Sequence, residues 1–157
     1  MKLKKAFALL LVFGIGITTY AGTHLAKKKQ SHTITKEKTE TGIHFFKGSW
    51  KEALAEAKSE KKLIFLDAYA SWCSPCKMMA RGTFTKKEVG DFFNANFINV
   101  KMDMEKNADG IRLSNKYNLR AYPTLYFIDH KEKLIHQELG YQKPKQLISI
   151  GKKVKAL

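Results

Sequence analysis

The sequence is poor in cysteine: Cys73 and Cys76 are the only two in 157 residues. A structural zinc site needs four ligands, and none of the five histidines lies at ligand spacing from the pair. Covalent haem attachment needs a histidine directly after the second cysteine, where Lys77 stands instead. The two cysteines therefore either form a disulfide with each other or remain a dithiol.

The sequence also lacks a hydrophobic run of full membrane-spanning length. Residues 6–21 are uncharged and follow a basic start, but a spanning helix needs about 20 apolar residues. A short apolar stretch that ends in small residues is typical of a secretory signal peptide, here with Thr19 and Ala21 ahead of a cut before Gly22. The alternative is an uncleaved anchor formed by residues 6–21. We therefore predict that residues 1–22 are a signal peptide or an N-terminal membrane anchor, and that the protein is periplasmic or otherwise extracytoplasmic.

Acidic residues are scarce, with 14 Asp and Glu against 29 Lys and Arg and a net charge of +15. A basic chain could bind nucleic acid, an acidic partner or an anionic membrane surface. However, the lysines after residue 30 are scattered among acids, and the sequence has no arginine-rich tract and no interleaving of aromatic and basic residues. We therefore predict a solvated basic surface and no nucleic-acid partner.

Aliphatic side chains are nearly absent from residues 27–42, where Ile34 is the only one. Such a segment cannot bury enough apolar surface to offset the entropy of ordering it. We predict a polar linker over residues 23–42 and a single folded domain over residues 43–157.

Within that domain the apolar residues alternate between strand and helix periods. The predicted strands are residues 43–46, 63–66, 97–102, 124–128 and 133–136. The predicted helices cover residues 50–60, a region after Cys76 that bends near Gly82, residues 108–117, and a last helix that begins at Pro144. Capping boxes are predicted at Ser49 with Glu52 and at Thr85 with Glu88. Alternating elements that end in a hairpin indicate an α/β fold.

The position of the cysteines favours redox chemistry. If Pro75 and Cys76 begin a helix, Cys73 lies at its N-terminus, where unpaired N–H groups and the helix dipole stabilise a thiolate. A structural staple usually closes a longer loop to constrain the unfolded chain. We therefore predict a redox-active pair.

Two charged residues near the pair are candidates for proton transfer. Asp67 ends the predicted buried strand, and a carboxylate there is costly unless it is paired or protonated. It either reaches water or is a group of raised pKa that exchanges protons with Cys76. Lys101, on the neighbouring strand, could offset that charge or could be a surface lysine.

Two further residues are candidates for contact with a partner. Pro123 directly precedes a predicted strand, and a cis Tyr122–Pro123 bond there would shape a tight turn. Trp72 adjoins the first cysteine and is either a core residue or an apolar contact surface for partner chains.

These motifs together resemble those of the thioredoxin-like superfamily. Residues 66–77, LDAYASWCSPCK, are similar to its active-site segment, residues 120–124, RAYPT, are similar to its cis-proline loop, and Gly140 matches a glycine after its last strand. The similarity covers residues 49–157 and is greatest to small exported members and to the C-terminal domains of membrane thiol:disulfide interchange reductases. It implies a thioredoxin fold, with a central mixed β-sheet flanked by helices.

The resemblance also implies roles for individual residues. Cys73 would be the nucleophile, Cys76 the resolving thiol and Asp67 a proton-exchange group assisted by Lys101. The expected substrate-binding residues are Trp72, Tyr122, Pro123 with a cis bond, and Thr124. The family differs from this sequence at Ser74, where thioredoxin has glycine, and at Tyr122, where it has a smaller aliphatic residue. The first difference bears on the redox potential, the second on the choice of partner.

The resemblance thus implies a monomeric extracytoplasmic thiol–disulfide oxidoreductase that needs no metal or organic cofactor. Its partners would be disulfide-bonded or dithiol proteins and an upstream, membrane-embedded electron donor. The Ser-Pro dipeptide lacks the histidine that strong oxidants often have between the cysteines, so we expect a protein-disulfide reductase. One alternative is a dedicated apocytochrome c maturation reductase, although such proteins often contain an added hairpin and helix, for which residues 100–123 leave no room. The other is a non-catalytic binding or chaperone module with a static disulfide.

Overall fold

The structure, a computed structural model, describes residues 41–157. Its helices and strands alternate along the chain, as the sequence predicts, and nine of them make up the domain. They are α1 (Trp50–Glu60), β1 (Leu63–Tyr69), α2 (Ser74–Arg81), α3 (Lys87–Asn96), β2 (Phe97–Asp103), α4 (Ala108–Lys116), β3 (Thr124–Ile128), β4 (Leu134–Leu139) and α5 (Pro144–Lys155). A short 3₁₀ helix, Thr83–Thr85, joins α2 to α3.

The four strands form one mixed sheet in the order β2-β1-β3-β4. Strands β1 and β2 are parallel, whereas β3 runs antiparallel to both of its neighbours. A central strand buried on both faces needs apolar side chains at successive positions, and residues 64–66 of β1 are all fully buried. The predicted mixed sheet is confirmed.

The two faces of the sheet are covered by different helices. Ile64, Leu66 and Ala68 of β1 point to one face, where they pack with buried residues of α1 and α4. Phe65 points to the other face and packs with buried residues of α2, α3 and α5. Because successive side chains of a strand alternate between faces, one short apolar strand joins both cores.

The helix termini follow the sequence signals at α1 and α5. At α1, the Ser49 hydroxyl accepts a hydrogen bond from the Glu52 N–H, and the Glu52 carboxylate accepts one from the Ser49 N–H. At α5, Pro144 occupies the first turn, where its missing N–H costs nothing. Both predicted starts are confirmed.

Three local predictions are wrong. Residues 43–46 form no strand, because their backbone bonds go to two different places, from Ile43 N–H to the Phe84 carbonyl and from Phe46 N–H to the Asn99 carbonyl. Thr85 caps no helix, since its hydroxyl donates to carbonyls at the end of α2 and α3 begins at Lys87. The last strand is displaced from residues 133–136 to Leu134–Leu139.

The predicted N-terminal segment and linker, residues 1–22 and 23–42, lie outside the described residues except for the last two linker positions. Within the described part of the chain, no helix combines the length and apolarity needed to cross a membrane.

Candidate functional site

The two cysteines lie at the N-terminus of α2 and are joined by a disulfide bond. Cys73 is the N-cap residue, and its Sγ accepts a hydrogen bond from the Cys76 N–H at 3.1 Å. Pro75 in the first turn fits the helix start, where an N–H group has no partner within the helix. The same N–H and the helix dipole would stabilise a thiolate at Cys73 once the bond opens.

Asp67 lies next to Lys101 within the sheet and precedes Cys73 by six residues in the chain. The two residues are register partners on β1 and β2, and the Lys101 Nζ donates a hydrogen bond to Asp67 Oδ2. Asp67 is 0% exposed, and its Oδ1 has no hydrogen-bond partner among residues 41–157. Burial raises the pKa of this carboxyl, and the charge and hydrogen bond of Lys101 oppose the rise without cancelling it.

This geometry corrects the expected position of Asp67. The aspartate does not end the strand and does not reach water, because β1 continues to Tyr69 through pairing with Met102 and Asp103 of β2. It is an interior group, which is the condition for the raised pKa that the sequence suggested.

A small cavity lies between Lys101 and the second cysteine. It has a volume of about 90 Å³, and its lining includes Cys76, Lys101 and Tyr69. The Lys101 Nζ also lies 4.1 Å from the centroid of the Tyr69 ring, so a ring and a carboxylate together hold this ammonium group. Lys101 thus contacts Asp67 through its hydrogen bond and shares a cavity with Cys76.

The loop before β3 packs against the cysteines through Tyr122. The Tyr122–Pro123 peptide bond is cis, and the Pro123 carbonyl accepts a hydrogen bond from the Gly140 N–H at 2.8 Å. Thr124 is fully buried, and its hydroxyl donates to the Ala121 carbonyl at 2.8 Å. Its part in substrate binding, which stays a prediction, would therefore come from its backbone.

Trp72 is a surface residue, with 66% of its area exposed. Its ring stands edge-on to that of Tyr122, with the centroids 5.6 Å apart. Tyr122 in turn packs against the cluster formed by Ala70 and the two cysteines. Trp72 is therefore not a core residue, and its part as a contact surface for partner chains stays a prediction.

Sequence reasoning missed several residues around the site. Leu139 and Tyr141 are exposed apolar side chains on either side of Gly140, and the bond from Gly140 to Pro123 places them beside the cis-proline loop. Glu105, in the loop after β2, accepts a hydrogen bond from the Trp72 indole at 2.9 Å. No local pattern marks these residues, because they reach the site only through the pairing of β2 with β1 and of β4 with β3.

The described part of the chain contains no cluster of three or more His, Cys, Asp or Glu side chains able to hold a metal ion. The groups that the site brings together are the two sulfurs, the buried carboxyl of Asp67 and the exposed ring of Trp72.

The chain is similar to known proteins. Residues 22–122 match the Thioredox_DsbH family, whose description is "Protein of unknown function, DUF255". The "Thiol:disulfide interchange protein DsbD" of Haemophilus ducreyi is 28% identical over 128 residues, which are 81% of this chain and 22% of that protein. The chain thus spans about a fifth of the length of this curated relative.

Two solved structures define the fold. A solution structure from Bacteroides thetaiotaomicron, provisionally described as a disulphide-isomerase, is 38% identical with a TM-score of 0.63, and the match covers 74% of this chain and 94% of that one. A thioredoxin from Thermus thermophilus, 17% identical, has a TM-score of 0.63 over 73% of this chain and 88% of its own. The architecture is the thioredoxin fold, as the sequence motifs implied.

Proposed function

This chain belongs to the Thioredox_DsbH family, and we propose that it is an extracytoplasmic thiol–disulfide oxidoreductase that reduces protein disulfides. The single observation that supports this most strongly is the Cys73–Cys76 disulfide at the N-terminus of α2, with the Cys73 sulfur on a helix N–H. A sulfur in that position is a stabilised thiolate when reduced and hence a good nucleophile.

In the proposed cycle the Cys73 thiolate attacks one sulfur of a partner disulfide and forms a mixed disulfide, while the other partner sulfur leaves as a thiolate. Cys76 then attacks the Cys73 sulfur, which releases the reduced partner and leaves the Cys73–Cys76 disulfide. Two electrons pass to the partner in each cycle. An upstream dithiol protein, which we propose is membrane-embedded, returns them.

Asp67 and Lys101 serve the second step. Cys76 must lose a proton before it can attack, and Asp67 is a carboxyl whose pKa is raised by burial, so its carboxylate is a stronger proton acceptor than an ordinary one. Lys101, on the wall of the cavity that also reaches Cys76, offsets the charge that Asp67 bears before it accepts the proton.

The partner surface is formed by the Trp72 and Tyr122 rings and the backbone at Pro123. An extended partner segment can pair with backbone groups beside Pro123 while its side chains contact the exposed rings. A connection between β2 and β3 that contains α4 alone does not favour the apocytochrome alternative, whose proteins often have an insertion in this region.

For localisation we propose export through residues 1–22, with cleavage before Gly22. Sequencing the N-terminus of the exported protein tests this: Gly22 as the first residue supports cleavage, whereas an intact Met1 on membrane-bound protein would establish the anchor over residues 6–21.

The reductase activity is tested with insulin as the disulfide substrate and dithiothreitol as the electron source. We expect the wild type to accelerate insulin reduction and Cys73→Ser to lose the acceleration, because the attacking sulfur is gone. Equal and negligible turnover by the two proteins would favour the binding or chaperone module with a static disulfide.

A further inference from the structure

Glu105 has a firmly held backbone although its side chain is exposed. The Asp103 carboxylate accepts hydrogen bonds from the N–H groups of Glu105 and Lys106, at 3.0 and 3.1 Å. The preceding residue, Met104, donates its N–H to the Tyr69 carbonyl at 2.9 Å. The loop also lies so close to α4 that a Cβ on Gly110 would come within 2.6 Å of the Asp103 carbonyl. Glu105 therefore projects from a rigid base.

From that base the Glu105 carboxylate binds the Trp72 ring and, through that ring, reaches Tyr122. It accepts a hydrogen bond from the Trp72 Nε1 at 2.9 Å. Burial raises the pKa of Tyr122, and the nearby charge of Glu105 raises it further. The two rings also contact each other edge to face.

One of these two rings, that of Tyr122, lies against the disulfide. Cys73 is only 2% exposed, and Tyr122 packs against the cluster that contains both cysteines. Thiol–disulfide exchange requires an attacking thiolate to reach the sulfur it attacks. A side chain must therefore move before Cys73 can react.

We propose that Glu105 holds Trp72 and Tyr122 as a cover over the Cys73–Cys76 disulfide and thereby selects protein partners over small thiols. A polypeptide can displace the cover because it offers its own N–H donors to Glu105 and apolar side chains to Trp72. A small monothiol offers neither and must wait for the cover to open. Glu105 is thus a positioning residue, and the inference rests on the proposed role of Cys73 as the sulfur that is attacked.

The reaction that reports on the cover is reduction of the disulfide by 2-mercaptoethanol. Its thiolate attacks Cys73 Sγ, the bond to Cys76 breaks, and Cys76 leaves as a thiolate. A second thiolate then attacks the 2-mercaptoethanol sulfur of the adduct, which releases reduced Cys73 and one molecule of 2-hydroxyethyl disulfide.

We expect Glu105→Ala to raise the second-order rate constant of this reduction about five-fold, the factor that corresponds to ~1 kcal/mol for one lost hydrogen bond. Glu105→Gln keeps an oxygen that can accept from the Trp72 indole, so its rate should stay close to that of the wild type. Glu88→Ala, which removes an exposed glutamate from α3, is the matched control and should have no effect. The rate of insulin reduction should change less than the small-thiol rate in every variant.

An unchanged rate of reduction by the small thiol in Glu105→Ala would overturn the proposal that Glu105 holds the cover in place. Equal acceleration in Glu105→Ala and Glu105→Gln would overturn it too, because loss of charge repulsion toward the thiolate would then explain the effect. Mass analysis of the first adduct separates these results from failure of the proposed function: an adduct on Cys76 rather than Cys73 would contradict the assigned nucleophile.

Discussion

At the scale of single residues, proton transfer and stability place opposing requirements on Asp67. Its carboxyl is fully buried, and the ion pair with Lys101 only partly offsets the cost of its charge. A buried ion pair is often less stabilising than neutral side chains of the same volume. We infer that Asp67 is kept for proton transfer at the expense of stability, so the two properties should respond to mutation in opposite directions.

We predict that Asp67→Asn stabilises the protein and slows it. Because the pKa of Asp67 is higher in the folded than in the unfolded chain, the native state binds the extra proton, and wild-type stability falls as pH rises through the folded pKa. The variant should gain on the order of 1–3 kcal/mol at pH 8, and the gain should vanish toward pH 4. Turnover should fall about ten-fold or more.

Urea unfolding at pH 8 and pH 4, together with insulin reduction, measures both effects. Asp91→Asn, which changes an exposed carboxylate on α3, is the control. A variant that loses stability and activity together would show that Asp67 is a structural residue.

At the scale of elements, Glu132 connects the turn between β3 and β4 to α1 and α4 by hydrogen bonds. The Glu132 carboxylate accepts hydrogen bonds from Trp50 of α1 at 2.6 Å, from Arg112 of α4 at 2.7 and 2.9 Å, and from Lys116 at 2.6 Å. The bonds from Arg112 are the main reason why the pKa of Glu132 falls to about 2, and burial opposes the fall. This carboxylate therefore stabilises the face of the sheet opposite α2.

We predict that Glu132→Gln destabilises the fold by roughly 1–3 kcal/mol at pH 7, because charge-assisted hydrogen bonds are replaced by weaker ones. A group with a depressed folded pKa stabilises above its unfolded pKa, and the contribution is lost as pH falls through the folded value. The difference between variant and wild type should thus shrink between about pH 4.5 and 2.

Urea unfolding across that pH range gives the measurement, with exposed Glu88→Gln as the control. A loss of stability that does not change with pH would show that the packing of the side chain matters and its charge does not.

The sequence predicts most elements and the centre of the site, but not the contacts made by loops. Periodicity places β1, β2, β3 and the starts of α1 and α5, because each depends on residues adjacent in sequence. It misplaces residues 43–46, whose hydrogen bonds go to distant partners. Glu105 and Tyr141 escape notice for the same reason, since strand pairing alone brings their loops beside the cysteines.

At the scale of the whole molecule, the direction of electron flow depends on how stable the Cys73 thiolate is relative to the disulfide. The sequence between the cysteines is Ser-Pro, which supplies no charge to the thiolate beyond that of the helix terminus. A strongly oxidising protein needs a very stable reduced form. We therefore place this protein on the reducing side of the thioredoxin-fold range.

We predict a redox potential well below about −120 mV, the range of strong oxidants. Equilibration with glutathione buffers, followed by alkylation of the free thiols, measures the potential. The Ser74→His variant is the matched comparison: it should be more oxidising than the wild type because an added cation stabilises the thiolate. A wild-type value near −120 mV would refute the reductase assignment.

The most direct test of the central claim, that Cys73 is the nucleophile and Cys76 resolves its adduct, is capture of the intermediate. The Cys76→Ser variant is incubated with oxidised insulin, the products are separated without reductant, and the linked peptide is mapped by mass spectrometry. Because the resolving thiol is missing, we expect a stable mixed disulfide through Cys73. Absence of any adduct from a variant whose Cys73 thiol is free and alkylatable would contradict the account.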